Sequence, residues 1–165
     1  MDKWKDELGS SRSASWTVDA IRPRLQDWTN RRWGHLSYRL VQMLSGHGCF
    51  GKYLHQIAGR EPTPRCHHCP EVSDTVAHTL FDCPAWEAER RPIANITGLD
   101  ASTLAEVISK ILQSEDAWKA FHEFSERVLT TKENAERERE ADPESAPLRR
   151  RRRAGRRRRE FIRQA

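Results

Sequence analysis

Three cysteines and one histidine lie within eighteen consecutive residues, in the order C-x2-C-x8-H-x4-C: Cys66, Cys69, His78 and Cys83. Thiolate and imidazole are ligands that suit a tetrahedral zinc ion. The C-x2-C pair forms a tight turn that directs two sulfurs at one point, and the H-x4-C pair closes the other side from one helical turn and its exit. Because four protein ligands leave no position for water, the pattern predicts one structural Zn2+ and not a catalytic metal.

Two other interpretations of the same residues stay open at this point. The cysteines could be buried thiols and His78 a core histidine, without any metal, although a C-x2-C pair with a third Cys and a His at ligand spacing is hard to reach by chance. His67 or His68, which lie between the first two cysteines, could also replace His78 as the fourth ligand, but a ligand inside C-x2-C would strain the turn.

Length and composition set the frame for this metal pattern. The chain has 165 residues, of which 36% are hydrophobic and 32% charged, so we expect one domain with a compact core over part of its length. The first twenty residues lack an apolar run, and no apolar stretch approaches the length of a membrane span, so neither a signal peptide nor a span is expected. Metal binding in a reducing compartment fits the cysteines better than disulfides do, and Cys49 is left over.

The net charge of +5 is divided into blocks of opposite sign. Residues 22–65 carry +6, residues 66–148 carry −9, and residues 149–165 carry +9. A polyanion should therefore meet the first or the last block and not the middle. The predicted nucleic-acid contacts, to RNA or DNA, are Arg22, Arg24, Arg31, Arg32, Lys52, Arg60, Arg65, Arg149, Arg150, Arg151, Arg152, Arg153, Arg156, Arg157, Arg158 and Arg159.

The arginine-rich tail and the tryptophans each allow more than one interpretation. The tail favours salt-dependent binding of a polyanion and fits a nuclear-import patch, but it could also serve solubility or fold back on residues 133–144. Trp16, Trp28 and Trp33 alternate with the first arginines. They could stack on bases, but packing in the core is favoured for each of them singly.

The remaining apolar residues recur at helical spacing, which predicts a mostly α protein. Gly46 and Gly59 are placed to end two short helices, and His47 and His55 near them are more typical of solvated or locally hydrogen-bonded residues than of functional ones. The first three predicted helices are 35–45, 50–57 and 75–82, the last with Asp74 as its cap. A fourth begins at Pro84 and ends before Pro92, and a fifth, 104–112, begins with a Thr103–Glu106 capping box. The sixth begins after Ser114 and continues through 132–140, where it has no apolar face to bury.

The fold class that follows is a small helical domain organised around a CCHC zinc knuckle, with a disordered N-terminus and an Arg-rich C-terminal tail. The expected divisions are a disordered segment 1–15, a helical hairpin region 16–65, the zinc module 66–92, a helical region 93–140 and a disordered tail 141–165.

Two stretches of sequence resemble a known family. They are YRLVQMLSGHGCFGKYLHQIAGREPTPRCHHC and VAHTLFDCPAW with EAERR after it. They resemble the region downstream of the polymerase domain in reverse transcriptases of non-LTR (LINE-type) retrotransposons, above all the insect clade that inserts at fixed genomic sites. Weaker likeness in SEDAWKAFHEFSERV and KENAERERE extends the resemblance from about Trp16 to Glu140.

The resemblance implies a function for the metal pattern. In that family the cysteine–histidine element is a terminal zinc-finger-like module, thought to handle template RNA or target DNA during target-primed reverse transcription. The implied ligands are again Cys66, Cys69, His78 and Cys83. The implied location is the nucleus or a cytoplasmic ribonucleoprotein.

No enzymatic role is expected from this chain, because it lacks the family's polymerase and endonuclease acids, a phosphate-binding loop and a nucleophile motif. The first hypothesis is thus a non-catalytic nucleic-acid-binding module. The alternative is a protein–protein adaptor, in which Trp118, Phe121, Phe124 and Val128 dock on the polymerase body or a host partner. The −9 charge of residues 66–148 favours this alternative, since that block would repel nucleic acid.

Overall fold

The structure, a computed structural model, describes residues 15–97 and 103–149, and it is mostly helical, as the sequence predicts. No strand occurs in these two ranges. The α-helices are α1 (Ser15–Ile21), α2 (Leu25–Asn30), α3 (Tyr38–Ser45), α4 (Gly51–Gln56), α5 (Glu87–Thr97), α6 (Leu104–Ile111) and α7 (Glu115–Ala141). Tighter 3-10 turns lie at Arg22–Arg24, Pro84–Trp86 and Pro147–Arg149, and a wider π-helical turn lies at His78–Asp82.

Helix α7 is the centre of the fold. Helices α5, α3 and α6 pack along it, and α1 packs on α6. One hydrophobic cluster joins these helices with Cys66, Cys83 and Trp86 of the cysteine–histidine region. The metal pattern therefore belongs to the same core as the long helix and is not a separate appendage.

The aromatic face of α7 lies inside this core. The exposed fractions of Trp118, Phe121, Phe124 and Val128 are 4%, 1%, 0% and 0%. The adaptor hypothesis was wrong about this face, because α3, α5 and α6 already cover it.

Several helix ends follow the predicted capping chemistry. The Thr103 hydroxyl accepts a hydrogen bond from the backbone N–H of Glu106, whose carboxylate accepts in return from the Thr103 N–H, so the capping box is confirmed. Ser114 caps α7 by accepting from the Ala117 N–H at 3.1 Å. Helix α3 begins later than predicted, because the Ser37 hydroxyl accepts from the Leu40 N–H and fixes the first turn there.

The predicted end of α5 before Pro92 is wrong. The helix runs through Pro92 to Thr97. A proline inside a helix removes one backbone hydrogen bond and crowds the preceding turn. Here Pro92 is on the exposed side, while the neighbouring Ile93 packs against the core, and the contact between α5 and α7 holds the helix together across the proline.

The prediction that the end of α7 buries nothing is also wrong. The Glu133–Arg137 pair is present at 3.8 Å, as expected for residues four apart. However, Lys132 and Glu136 are only 2% and 6% exposed. Arg60, in the loop before the cysteines, pairs with Glu136, and Asp74, after the C-x2-C turn, pairs with Lys132. An apolar pattern cannot reveal such ionic partners.

The predicted disordered ends fall mainly outside the described residues, which exclude 1–14 and 150–165. Ser15 begins α1, and residues 142–149 leave α7 and reach the 3-10 turn Pro147–Arg149. In the described part of the chain, no helix combines the length and the apolar character needed to cross a bilayer.

Candidate metal centre

The four residues of the metal pattern meet at one point. The ligand atoms of Cys66, Cys69, His78 and Cys83 all lie within 4.8 Å of one another, and the group could hold a metal ion. Tetrahedral zinc with Zn–S bonds of about 2.3 Å and a Zn–N bond of about 2.0 Å places sulfurs about 3.8 Å apart and sulfur and nitrogen about 3.5 Å apart. The Cys69 Sγ and the His78 Nε2 are 3.2 Å apart. The donor set therefore suits a metal ion such as zinc, and the ligand atoms lie close enough together to share one.

The C-x2-C turn is held by its own backbone. The Cys66 N–H donates to the Glu71 carbonyl at 2.9 Å, which closes the loop, and the His68 N–H donates to the Cys66 sulfur at 3.4 Å. The segment before the turn packs tightly on the start of α4. A Cβ atom on Gly51 would lie 2.5 Å from the Arg65 carbonyl oxygen, so only glycine allows this approach.

The other two ligands are brought together by the π-helical turn. The Cys83 N–H donates to the His78 carbonyl at 2.8 Å, a bond across five residues. In an α-helix residues five apart would point about 140° away from each other. The wider turn brings Cys83 back beneath His78, so both face the same centre. The H-x4-C spacing is compatible with this π-helical turn, but the sequence analysis predicted an ordinary α-helix over 75–82.

Burial disfavours the thiolate forms of the cysteines in this centre, so thiolates here need a cation beside them. Burial, with smaller contributions from Cys66 and Cys69, raises the pKa of the Cys83 thiol to about 12, although the Ala85 N–H donates a hydrogen bond to the sulfur and opposes the rise. Burial likewise raises the pKa of Cys66. Sulfur binds metals as thiolate, so a bound divalent cation would supply the charge that keeps these groups deprotonated.

The two histidines between the cysteines are engaged elsewhere. The His67 Nε2 lies 3.5 Å from a carboxylate oxygen of Glu61. The ring of His68 packs against the ring of Trp86, with 4.7 Å between centroids, and burial lowers the pKa of His68 to about 4. The group that the structure brings together contains His78, in agreement with the first interpretation of the sequence.

Cys49, the cysteine outside the pattern, is a structural residue of the core. Its side chain is buried, and its sulfur lies 3.9 Å from the Leu129 carbonyl oxygen. Burial raises the pKa of Cys49 to about 12. The group that could hold a metal does not include it.

A buried ion pair between Lys132 and Asp74 joins the elements around the metal centre. The Lys132 Nζ donates to both carboxylate oxygens of Asp74, at 2.9 and 2.8 Å, and the two side chains are 1% and 3% exposed. Asp74 also accepts from the Gly51 N–H at 2.8 Å and the Thr79 hydroxyl at 3.3 Å. Its carboxylate thus ties α7 to α4 and to the turn that carries His78.

This role replaces the one predicted for Asp74. The sequence suggested that Asp74 caps the helix after it. Instead, the Thr75 hydroxyl accepts from the His78 N–H at 3.0 Å, while the Asp74 carboxylate turns inward toward Lys132. Either side chain can cap, but only the charged carboxylate can neutralise a buried ammonium.

A second buried acid joins the metal region to the end of α7. Glu61 is 4% exposed, and its carboxylate accepts from the Nε of Arg139 at 3.1 Å and of Arg149 at 2.9 Å. Burial opposes ionisation of Glu61, but hydrogen bonds from His67, Arg139 and Arg149 outweigh it and lower the pKa to about 2.

Some of the predicted nucleic-acid contacts are already engaged by other side chains of the protein, and others are exposed. Arg31 lies over the rings of Trp28 and Trp118, at 4.4 and 4.7 Å. Arg60 pairs with Glu136 at 2.6 Å and also with Glu140. Arg31 is thus engaged by aromatic rings, and Arg60, like Arg149, by buried carboxylates of the protein, so these three side chains are less available to a nucleic acid.

The other basic candidates are more accessible. Arg22 and Arg24 make local ion pairs with Asp19 and Asp27, at 3.9 and 3.4 Å, and Arg24 also reaches Ser109. The candidates with exposed side chains and no ion pair among residues 15–97 and 103–149 are Arg32, Lys52 and Arg65. The candidates Arg150–Arg153 and Arg156–Arg159 lie outside the described residues.

The tryptophans of the first block pack, as favoured. Trp16, Trp28 and Trp33 are partly buried against the core, and the ring of Trp28 contacts that of Trp118 with 5.4 Å between centroids. His55, near Gly59, makes a local hydrogen bond between its Nδ1 and the Glu61 carbonyl oxygen at 2.9 Å.

Comparison with known proteins supports the retroelement resemblance. The chain is weakly homologous to the Retrovirus-related Pol polyprotein from type-1 retrotransposable element R1 of Popillia japonica, with 30% identity over 90 residues. The match covers 54% of this chain and 34% of the relative. The chain thus spans about a third of the relative it matches. No protein-family model and no solved structure matches the chain significantly.

Proposed function

We propose that this chain is a retroelement-derived module in which one Zn2+, bound by Cys66, Cys69, His78 and Cys83, organises a non-catalytic surface for nucleic acid. The observation that carries the metal part is the meeting of three sulfurs and one imidazole nitrogen within 4.8 Å. All four positions of a tetrahedral ion are then filled by protein, so the ion stabilises the fold and does not activate water.

The metal supplies folding energy where the fold needs it most. The cysteine–histidine region has little regular structure: a turn, a short π-helical segment and a 3-10 turn. In zinc-finger peptides the apparent binding energy of a structural zinc ion is about 10–16 kcal/mol, and it is largely folding energy. Loss of the ion should release the segment from Cys66 to Trp86 from the core around α7.

The nucleic-acid part rests on the accessible cations beside this centre. Arg65 directly precedes Cys66, and Lys52 follows Gly51, where an added Cβ would lie 2.5 Å from the Arg65 carbonyl oxygen, so the two segments approach closely. The two exposed side chains therefore flank the start of the metal-binding turn. Single-stranded or structured RNA is favoured over sequence-specific duplex DNA, because the sequence holds no recognition-helix pattern.

The context of this activity is the retroelement. We propose that the module handles template RNA or target DNA for a reverse transcriptase, in the nucleus or in a ribonucleoprotein, and that the arginine-rich tail adds affinity. Homology to the R1 polyprotein supports the context.

Fluorescence anisotropy of the full chain with labelled single-stranded RNA, at about 100 mM salt, tests the proposal. Each phosphate that a variant no longer neutralises should reduce the logarithmic salt slope by about 0.7 for a single strand. Lys52→Gln and Arg65→Gln should each lower affinity and slope. Lys119→Gln, an exposed lysine of the acidic block on α7, is the matched control and should change neither. Absence of RNA and DNA binding by the wild-type chain would refute the nucleic-acid function.

A further inference from the structure

A buried carboxylate holds the beginning of the arginine-rich tail (residues 149–165) in place. The two oxygens of Glu61 accept from the Nε of Arg139, in α7, and from the Nε of Arg149, the first residue of the tail. The side chains of Glu61 and Arg149 are 2% and 19% exposed, so their contact is largely shielded from water and salt. The tail therefore starts from a fixed point of the folded domain.

The segment 142–149 folds back along α7 to reach this point. Arg139 and Arg149 share one carboxylate although α7 ends between them, at Ala141, so the chain must reverse its direction there. The Ser145 N–H donates to the Asp142 carbonyl at 3.1 Å, which closes a turn directly after the helix. The position of Arg149 is thus set by the local backbone as well as by Glu61.

The same carboxylate lies against the C-x2-C turn, Cys66–Cys69. The Nε2 of His67, inside this turn, is 3.5 Å from the Glu61 Oε2, the oxygen that accepts from Arg149. Arg65 is exposed and precedes His67 by two residues, a length of chain that spans at most about 7 Å. The start of the tail and the exposed cation before the first metal ligand are therefore neighbours.

The backbone places a further exposed cation beside the same turn. The Lys52 N–H donates to the Asp74 carbonyl at 3.0 Å, and the Asp74 N–H donates to the Pro64 carbonyl at 2.7 Å, which joins the start of α4 to the residue before Arg65. Neither Lys52 nor Arg65 makes an ion pair in the part of the chain that the structure describes, and residues 149–165 carry +9. The tail thus begins beside cations that are themselves open to a polyanion.

Carboxylates near the end of α7 are the competing partners for the tail within the chain. Those with exposed positions are Glu138, Asp142 and Glu144. These three charges are too few to neutralise a net charge of +9, so most of the charge of the tail stays available to an external polyanion. Glu61 itself is buried under two arginines and does not face an approaching phosphate.

We propose that Glu61 positions the arginine-rich tail beside the metal-binding turn, so that the tail, Arg65 and Lys52 bind one strand of single-stranded nucleic acid together. Glu61 is a positioning residue, because it touches Arg149 and not the strand. Once either basic part holds the strand, the other meets it at a high effective concentration, which raises the affinity without any new contact. This inference rests on the proposed nucleic-acid function and adds the surface that binds the strand.

Two variants of equal charge test the anchor, by fluorescence anisotropy of the full chain with labelled oligo(U). Arg149→Gln frees the start of the tail, and Arg150→Gln removes the same charge one residue later. Arg149→Gln should weaken binding about fivefold or more beyond Arg150→Gln, because the effective concentration of the tail at the turn falls. When Lys52→Gln and Arg65→Gln are also present, this excess should disappear, since the turn then offers no second contact. A merely structural role of Arg149 would leave the excess unchanged.

An insertion provides a second test that keeps every charge and leaves the Glu61 contacts intact. About ten Gly and Ser residues placed between Arg149 and Arg150 move the tail away from the turn and should weaken binding severalfold, since effective concentration falls with linker length. The same insert added after Ala165 is the matched control and should change nothing. If Arg149→Gln alters the far-UV circular dichroism of the protein, the insertion decides.

The outcomes that overturn the inference differ from those that overturn the proposed function. Equal losses for Arg149→Gln and Arg150→Gln, or an insertion without effect, would refute the positioning by Glu61, while the nucleic-acid function stands. Tighter binding by Arg149→Gln would also refute it, because the anchor would then hold the tail away from the strand. If the wild-type chain binds neither RNA nor DNA, the proposed function fails, and the shared surface fails with it.

Discussion

Removal of the buried lysine Lys132 should destabilise the protein strongly, because the residue neutralises a buried acid behind the metal centre. Lys132→Met keeps the length of the side chain and removes its charge. The Asp74 carboxylate, 3% exposed, then loses its only charged partner at hydrogen-bond distance among the described residues and keeps only the Gly51 N–H and the Thr79 hydroxyl.

The expected magnitude follows from this environment. Breaking a buried ion pair by removing one partner costs about 3–5 kcal/mol, because a buried charge is left uncompensated. For Lys132→Met the two remaining hydrogen bonds favour the lower end, about 3 kcal/mol. Asp74→Asn should cost at least as much, since it leaves the Lys132 ammonium with only a neutral amide oxygen and the Phe50 ring, whose centroid is 5.4 Å from the Nζ, to offset its charge. Such a loss is a large fraction of the about 5–15 kcal/mol that stabilises a domain.

The assay is urea denaturation followed by far-UV circular dichroism, with zinc at one fixed excess for every variant, since a bound ion shifts apparent stability. In the double variant no charge is left unpaired, so the two losses should not add, and the coupling should be about 0.5–3 kcal/mol. Lys119→Met, exposed on the same helix, should stay within about 0.5 kcal/mol of wild type. A loss below about 1 kcal/mol for Lys132→Met, or strict additivity with Asp74→Asn, would refute the reasoning.

Three further results are expected. The pKa of Glu61 is lowered from 4.5 to about 2 in the fold, so ionised Glu61 stabilises the folded protein fully above pH 4.5, and this contribution is lost as pH falls toward 2. The difference in urea midpoint between wild type and Glu61→Gln should therefore shrink over that window, and a constant difference would contradict this. His78→Ala should weaken zinc binding by orders of magnitude in a chelator competition, whereas His68→Ala should leave it nearly unchanged, and equal effects would reopen the choice of ligand. Cys49 should resist iodoacetamide in the native protein without chelator, because its thiol is buried and its pKa is raised to about 12, and early alkylation seen by mass spectrometry would contradict its place in the core.

The elements that could be predicted from the sequence are those with a local signal. The four residues of the metal pattern were identified from spacing and residue type alone, and the structure brings them together. The capping box at Thr103 and the cap at Ser114 were predicted because such bonds span three residues. The apolar stripe of α7 was placed correctly, but its partner was not, since periodicity shows that a face is buried and not what buries it.

The elements that were missed depend on distant partners. Lys132 and Asp74 are 58 residues apart, and nothing near either residue indicates that a charged side chain is buried. Arg60 reads as a free cation until the acids of α7 are placed beside it. The π-helical turn was missed because helical periodicity assumes bonds across four residues, whereas the ligand spacing His78 to Cys83 requires five.

The ion that the cysteine–histidine group would hold is central to both the fold and the proposed function. Zinc K-edge X-ray absorption on the full chain, purified without added metal, measures its ligands directly. The prediction is about one zinc ion per chain, with three sulfurs at about 2.3 Å and one nitrogen at about 2.0 Å. A first shell dominated by oxygen, a sulfur count other than three, or a folded protein that holds no metal would contradict it.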